Sequence, residues 1–252
     1  MSKLMPEVKL LVAGEYGLVI EFAAEISPAV NRLVQQVAGL LGGRSISGII
    51  EVVPTYCTVM IYFDPFIISR QELAACIERM LGDIDCESSQ PKGAKTVYVP
   101  VCYGGVLGPD LEYVARYTGL PVAEVIALHT AVPYLVYMLG FTPGFPYLGG
   151  LPAQLAVPRQ EKPRVKVPAG SVGIGGSQTG LYPVESPGEW WLIGRTPVKA
   201  FNPKHSQPFL FSPGDYLHFY VITVDEYFAI RRQVEAGTYV PQICQGSECD
   251  IE

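Results

Sequence analysis

Residues 139–195 set eleven glycines and eight prolines among large apolar side chains, and no other feature restricts the chain as much. Phe141, Phe145, Tyr147, Val172, Ile174, Tyr182, Trp190 and Trp191 recur between these breakers. Glycine opens backbone angles closed to other residues, while proline fixes φ and removes a hydrogen-bond donor. Disordered segments lack such apolar anchors. The block therefore reads as tightly turned β-structure with rigid loops around a core.

The glycines do not spell a nucleotide-binding loop. Gly175 and Gly180 have P-loop spacing, but Leu181 stands where a lysine would reach the phosphates. Gly173 and Gly175 begin a dinucleotide fingerprint, yet Gln178 takes the third glycine position, and Pro183 and Pro187 prevent a helix from opening. A phosphate site built from backbone amides stays open at this stage.

A chain of 252 residues suits one large domain or two modest ones. With 49% apolar and 17% charged residues it has ample core material and a rather apolar surface, as a chain with a permanent protein partner would. A net charge of −6 without a basic run argues against nucleic acid. No apolar run approaches the ~20 residues of a membrane helix. Glu15 and Glu21 interrupt the only N-terminal stretch that could serve as a signal peptide, so a cytoplasmic location is expected. The six cysteines read as small reduced side chains. Cys244 and Cys249 form the one close pair; they lack a neighbouring histidine and make a poor zinc site, which leaves a tail disulfide as the other reading. No metal site is expected.

Strands are predicted over 8–13 and 17–23 around the turn at Gly14. A helix follows, opened by Ser27-Pro28 and closed by Gly42-Gly43. Strands at 46–53 and 55–63 then meet at Pro54, and a second helix starts from the capping box Ser69/Glu72. This ββαββα order makes a small α+β domain, expected as a ferredoxin-like type over residues 1–90. The polar, breaker-rich stretch 86–95 is the candidate boundary. A second domain over 91–252 begins with a strand at 96–101 and continues with short helices opened by Pro109 and Pro121, the second running through His129. It ends with a strand at 216–222, a helix capped by Thr223 and Glu226, and a frayed tail.

Only three histidines occur, and His129, at a helix end before the β-rich block, is the one placed to face a cleft. No G-x-S-x-G elbow or H-E-x-x-H helix is present. Ser171 and Ser177, near Arg164 and Lys166, suit either anion binding or the plainer task of satisfying turn backbones. Arg159, Lys162, Arg164, Lys166 and Arg195 make the block locally basic, so it reads either as a pocket for a small anionic substrate or as solvated surface charge. Trp190 and Trp191 should point to opposite faces of a strand.

The motifs GFTPGFPYLGGLP (140–152), VPAGSVGIGGSQTGLYP (167–183) and SPGEWWLIGRTP (186–197), in this order, resemble the KipI-like family. This is the family of 5-oxoprolinase B subunits, known in older usage as allophanate hydrolase subunit 1. The segments 101–120, 124–141 and 225–243 are similar to its flanking parts. One departure is Glu189, where the family shows a second glycine. The resemblance implies a small N-terminal α+β domain and a cyclophilin-like β-barrel. It further implies an ATP-dependent 5-oxoprolinase completed by two partners, the KipA-like C subunit and the A subunit. Related chains form the carboxyltransferase part of urea carboxylases, and another branch restrains a sporulation histidine kinase. Carried over by position, His129 is the expected proton-transfer residue. Phe141, Pro143, Gly144, Phe145, Tyr147, Arg164, Ser171, Gly176, Gln178, Thr179 and Gly180 are the expected substrate contacts. No biotin-attachment segment or amidase signature is present.

Overall fold

Gly14 turns the chain between β1 (Lys9–Ala13) and β2 (Gly17–Glu21), the first hairpin of a computed structural model that describes residues 8–43, 46–82 and 94–245. The chain divides into two units, Met1–Lys92 and Gly93–Glu252. The first adds α1 (Pro28–Gly43), a second hairpin of β3 (Ile49–Pro54) and β4 (Thr58–Phe63), and α2 (Arg70–Gly82). Ser27 Oγ accepts from the Val30 amide at the start of α1, and Ser69 and Glu72 cap α2 reciprocally. The antiparallel sheet runs β1-β2-β4-β3. Alternate residues Leu18, Ile20, Phe22 and Val59, Ile61, Phe63 turn inward against Val34, Val37, Leu41, Leu73 and Ile77 of the helices.

This architecture departs from the ferredoxin-like expectation. A ferredoxin-like domain orders its elements βαββαβ. Here each short turn lets consecutive strands pair directly as a hairpin, and each helix follows a completed hairpin. Asn31 of α1, buried to 1% exposure, ties the two ββα halves together by donating from Nδ2 to the Thr55 and Tyr56 carbonyls at 3.0 and 3.2 Å.

The second unit opens with β5 (Lys95–Tyr103), α3 (Leu111–Thr118) and α4 (Val122–Thr130). Strands β6 (Tyr134–Leu139), β7 (Pro146–Gly149), β8 (Arg164–Val167), β9 (Ser171–Gly175), β10 (Gln178–Leu181), β11 (Ser186–Gly188) and β12 (Trp191–Arg195) follow, then β13 (Tyr216–Val221), α5 (Val224–Ala236) and β14 (Ile243–Gln245). The main sheet runs β10-β9-β12-β5-β13-β6-β7, and β10 comes up beside β7, so the sheet nearly closes into a barrel. The exception to its antiparallel pairing is β5 with β13, which run parallel through the middle. Being covered on both sides, β5 is an almost unbroken apolar run. Along its far edge β5 receives β12 at its end and β14 at its start. Strands β8 and β11 form a separate ribbon.

Cys57, Cys76, Cys102 and Cys244 are free thiols, whereas Cys86, Cys249, most of the expected boundary stretch and all but the first residue of the frayed tail lie outside the described residues. Asn31→Ala leaves two part-buried carbonyls without the donor that Asn31 gives them. It should lower the stability of the first unit by about 1–3 kcal/mol, read as a lower urea midpoint.

Candidate functional site

Glycines occupy Gly173 and Gly175 on β9 and Gly180 on β10, and all three fall on one face of this hairpin, since Gly180 pairs with Gly173. Val172, Ile174, Thr179 and Leu181 take the opposite face and enter the barrel core. The bare face receives Trp190. A Cβ on Gly175 would overlap the five-membered part of the indole, and one on Gly180 would stand 2.9 Å from the far edge of its six-membered ring. Tyr182 and Trp190 meet edge to face, and Phe145 makes edge contacts with Phe141, Tyr147, Tyr182 and Trp190 at centroid distances of 5.3–5.7 Å.

These rings wall an open cleft of about 260 Å³. Its mouth is polar: Arg159 donates to Glu189 Oε1 at 2.7 Å and to Gln178 Oε1 at 3.2 Å. Phe141, at the rim, is the one non-glycine residue with positive φ (62°) among those described. Such strain concentrates at ligand clamps and active sites. Burial raises the Tyr182 hydroxyl to about 12; a backbone hydrogen bond at Trp190 and the nearby Arg159 and Arg164 charges lower it only in part. The cleft thus offers a neutral phenol, stacked faces and one guanidinium whose partners sit at the surface. It suits a small, flat, anionic molecule.

His129 is elsewhere. Its ring has no exposed surface and stacks on Phe219 inside the barrel, not toward a cleft as the sequence reading expected. Tyr103 Oη lies 2.7 Å from Nδ1, and Thr179 Oγ1 lies 2.7 Å from Nε2. Thr179 donates its own proton to the Gly173 carbonyl at 3.1 Å, so it must accept from Nε2–H. Nδ1 is then an acceptor for the Tyr103 hydroxyl, and the neutral Nε2–H tautomer is fixed. Burial lowers the His129 pKa to about 3 and raises that of Tyr103.

The structure gathers the other expected contacts only in part. Phe141, Phe145 and Tyr147 line the cleft, and Gln178 reaches its mouth through Arg159. Pro143 and Gly144 turn the loop that carries the two phenylalanines but do not line it. Arg164 does structural work: it pairs with Asp110 at 2.7 Å and donates to the Trp190 carbonyl. The other Asp110 oxygen accepts from the Leu192 amide at 2.7 Å, which binds the start of α3 to β12. Ser171 and Thr179 are buried, and Gly176 makes the hairpin turn while exchanging both backbone bonds with Val157. Of the expected anion cradle over 171–180, the Ser171 and Gly176 amides are already bonded to the Pro168 and Val157 carbonyls. Among the described residues, no cluster of three or more His, Cys, Asp or Glu could hold a metal, and no helix is long and apolar enough to cross a membrane.

Comparison with known proteins places the chain. Residues 8–211 match the family model described as carboxyltransferase domain, subdomain C and D. The chain is 38% identical over 228 residues to a Bacillus subtilis (strain 168) protein named as the B subunit of 5-oxoprolinase, covering 87% of this chain and 95% of that one. It belongs to the family of 5-oxoprolinase B subunits. The crystal structure of TTHA0988 shares 36% identity with it at a TM-score of 0.73, over 82% of this chain but only 40% of that longer one. The K. lactis urea amidolyase, 21% identical, superposes on 98% of this chain and 17% of its own at a TM-score of 0.80, a likeness of fold.

In this member of the 5-oxoprolinase B-subunit family, sequence reasoning missed Arg159 and Glu189 as a pair. Arg159 is one of five cations that look alike in sequence, and Glu189 stands out only as a departure from the motif. Read together, the charge at Glu189 and the surplus of cations could have suggested them.

Gly175→Ala should drive the indole off the hairpin, costing about 1–3 kcal/mol by overpacking and weakening the near-ultraviolet circular dichroism of the aromatic cluster. His129 gives a pH signature. Its folded pKa lies below the ordinary 6.5, so between about pH 3 and 6.5 the unfolded chain binds more protons and stability falls as pH drops. The slope is at most about 1.4 kcal/mol per pH unit. Denaturation midpoints at pH 7, 6 and 5 should fall less steeply in His129→Gln than in the parent chain.

Proposed function

We propose that this chain is the B subunit of an ATP-dependent 5-oxoprolinase, inactive alone and completed by its C and A subunits. The observation that carries this reading is the end-to-end match to a protein named as the B subunit of 5-oxoprolinase, over 87% of this chain and 95% of that one. The overall reaction adds water across the lactam amide of 5-oxoproline to give glutamate, coupled to hydrolysis of ATP to ADP and phosphate. In the proposal the aromatic cleft is this subunit's share of the substrate site. The five-membered ring lies against Phe145 and Trp190, and its carboxylate takes Arg159 from Glu189 in a bidentate bond. The barrel core, cyclophilin-like in this reading, keeps the cleft walls in place.

His129 then acts as a positioning residue. A neutral imidazole with both nitrogens engaged and no exposed surface is poorly set to exchange protons with a substrate. The link from His129 to Thr179 instead holds β10 against α4.

The test is ATP-dependent glutamate release from 5-oxoproline by this chain alone and mixed with its A and C subunits. Activity should appear only in the mixture. Arg159→Gln removes a surface ion pair worth about 0–1 kcal/mol, so it should fold normally while raising KM about tenfold or more. An unchanged KM would take the substrate out of this cleft. Glutamate release by the chain alone would end the subunit reading.

A further inference from the structure

The structure satisfies the five cations of the glycine-rich block unequally. Arg159 meets Glu189 at 2.7 Å, Arg164 meets Asp110 at 2.7 Å, and Lys166 meets Glu185 at 3.0 Å. Lys162 stands exposed to water. Arg195, at the end of β12, is half-buried; its Nε is enclosed with no hydrogen-bond acceptor, and the side chain forms no ion pair among the described residues. An enclosed N–H without an acceptor costs free energy that a bound oxyanion would return.

Arg195 lines a cleft of about 270 Å³ that shares no residue with the aromatic one. One wall is the turn at Gly170 and the segment Thr196–Lys199; the other is the face of α5 carrying Tyr227, Arg231 and Glu235. The first wall is rigid. The Thr196 amide donates to the Gly170 carbonyl at 2.9 Å, and a Cβ on Gly170 would overlap the Thr196 carbonyl. The stem of Arg195 packs beside the same glycine. Lys199 and Arg231 add two further cations. The one lining carboxylate, Glu235, is bonded to Arg231 at 2.8 Å. Three cations therefore face one already paired anion, in a chain whose net charge is −6.

We propose that the Arg195 cleft is a second small-molecule site, one that takes a phosphate-class oxyanion. Two uncompensated positive charges match a phosphate group that carries nearly two negative charges at neutral pH. The planar fork of Arg195 suits two of its oxygens, and Lys199 supplies a mobile point charge at the rim. This site is independent of which substrate the assembly turns over.

Titration calorimetry of the full chain with inorganic phosphate, at constant ionic strength, tests this. Parallel titrations use acetate, chloride and ADP. Saturable phosphate binding is expected. It should weaken about tenfold or more in Arg195→Gln, weaken in Lys199→Ala, and stay unchanged in Arg159→Gln. Lys199 is exposed, so its variant keeps the test valid if Arg195→Gln folds poorly. Tighter binding of ADP, weakened by the same substitutions, would support the site and make a nucleotide the source of the phosphate. Absence of saturable binding, equal affinity in parent and variants, or preference for acetate would each overturn the proposal.

Discussion

An indole ring lying on bare backbone organises the second unit. Trp190 reaches its place because Gly173, Gly175 and Gly180 leave one face of the β9–β10 hairpin without side chains. Tyr182 and Phe145 gather around the ring it presents, and Phe141 and Tyr147 extend the wall through Phe145. The other face of the same hairpin is built of Val172, Ile174, Thr179 and Leu181 and completes the barrel core. Two strands therefore separate a dry interior from an open aromatic cleft. A methyl group at either of two glycines would disturb both.

The polar cross-links reinforce that division. The chain of bonds from Tyr103 through His129 and Thr179 to Gly173 runs inside the barrel and leaves each of its donors used. Asp110 does similar work outside, holding Arg164 with one oxygen and the Leu192 amide with the other. Buried polar groups satisfied in this way specify one arrangement of the strands and helices, since any slip would strand a donor or an acceptor.

Much of the fold is legible in the sequence because its signals are local. Ser69 with Glu72 and Thr223 with Glu226 cap the helices they announce, and Gly119 and Gly237 each end a helix of the second unit. The ββαββα order can also be read directly, but the sheet order cannot, since strand pairing depends on long-range packing. The site was legible for its apolar members. Phe141 and Phe145 lie among breakers that hold them on a loop, Tyr147 follows on β7, and the two tryptophans do take opposite roles: Trp191 stacks on Tyr113 at 3.7 Å while Trp190 joins the cleft. His129, Ser171 and Thr179 misled for one shared reason. A polar residue in or beside a glycine-rich stretch looks solvent-facing, but Thr179 faces the barrel core by strand alternation, His129 turns inward from α4, and Ser171, on the glycine side of β9, is buried as well. The cations were ambiguous because sequence does not show which carboxylate neutralises which.

The pairing of β14 with the start of β5 sets Gln245 directly opposite Lys95. The first and last strands of the barrel unit thus meet on one edge of the sheet. A body with adjacent entry and exit can be spliced into a longer chain at little topological cost. Nothing inside it need be rethreaded when flanking segments change. The barrel is, in this sense, a portable cassette.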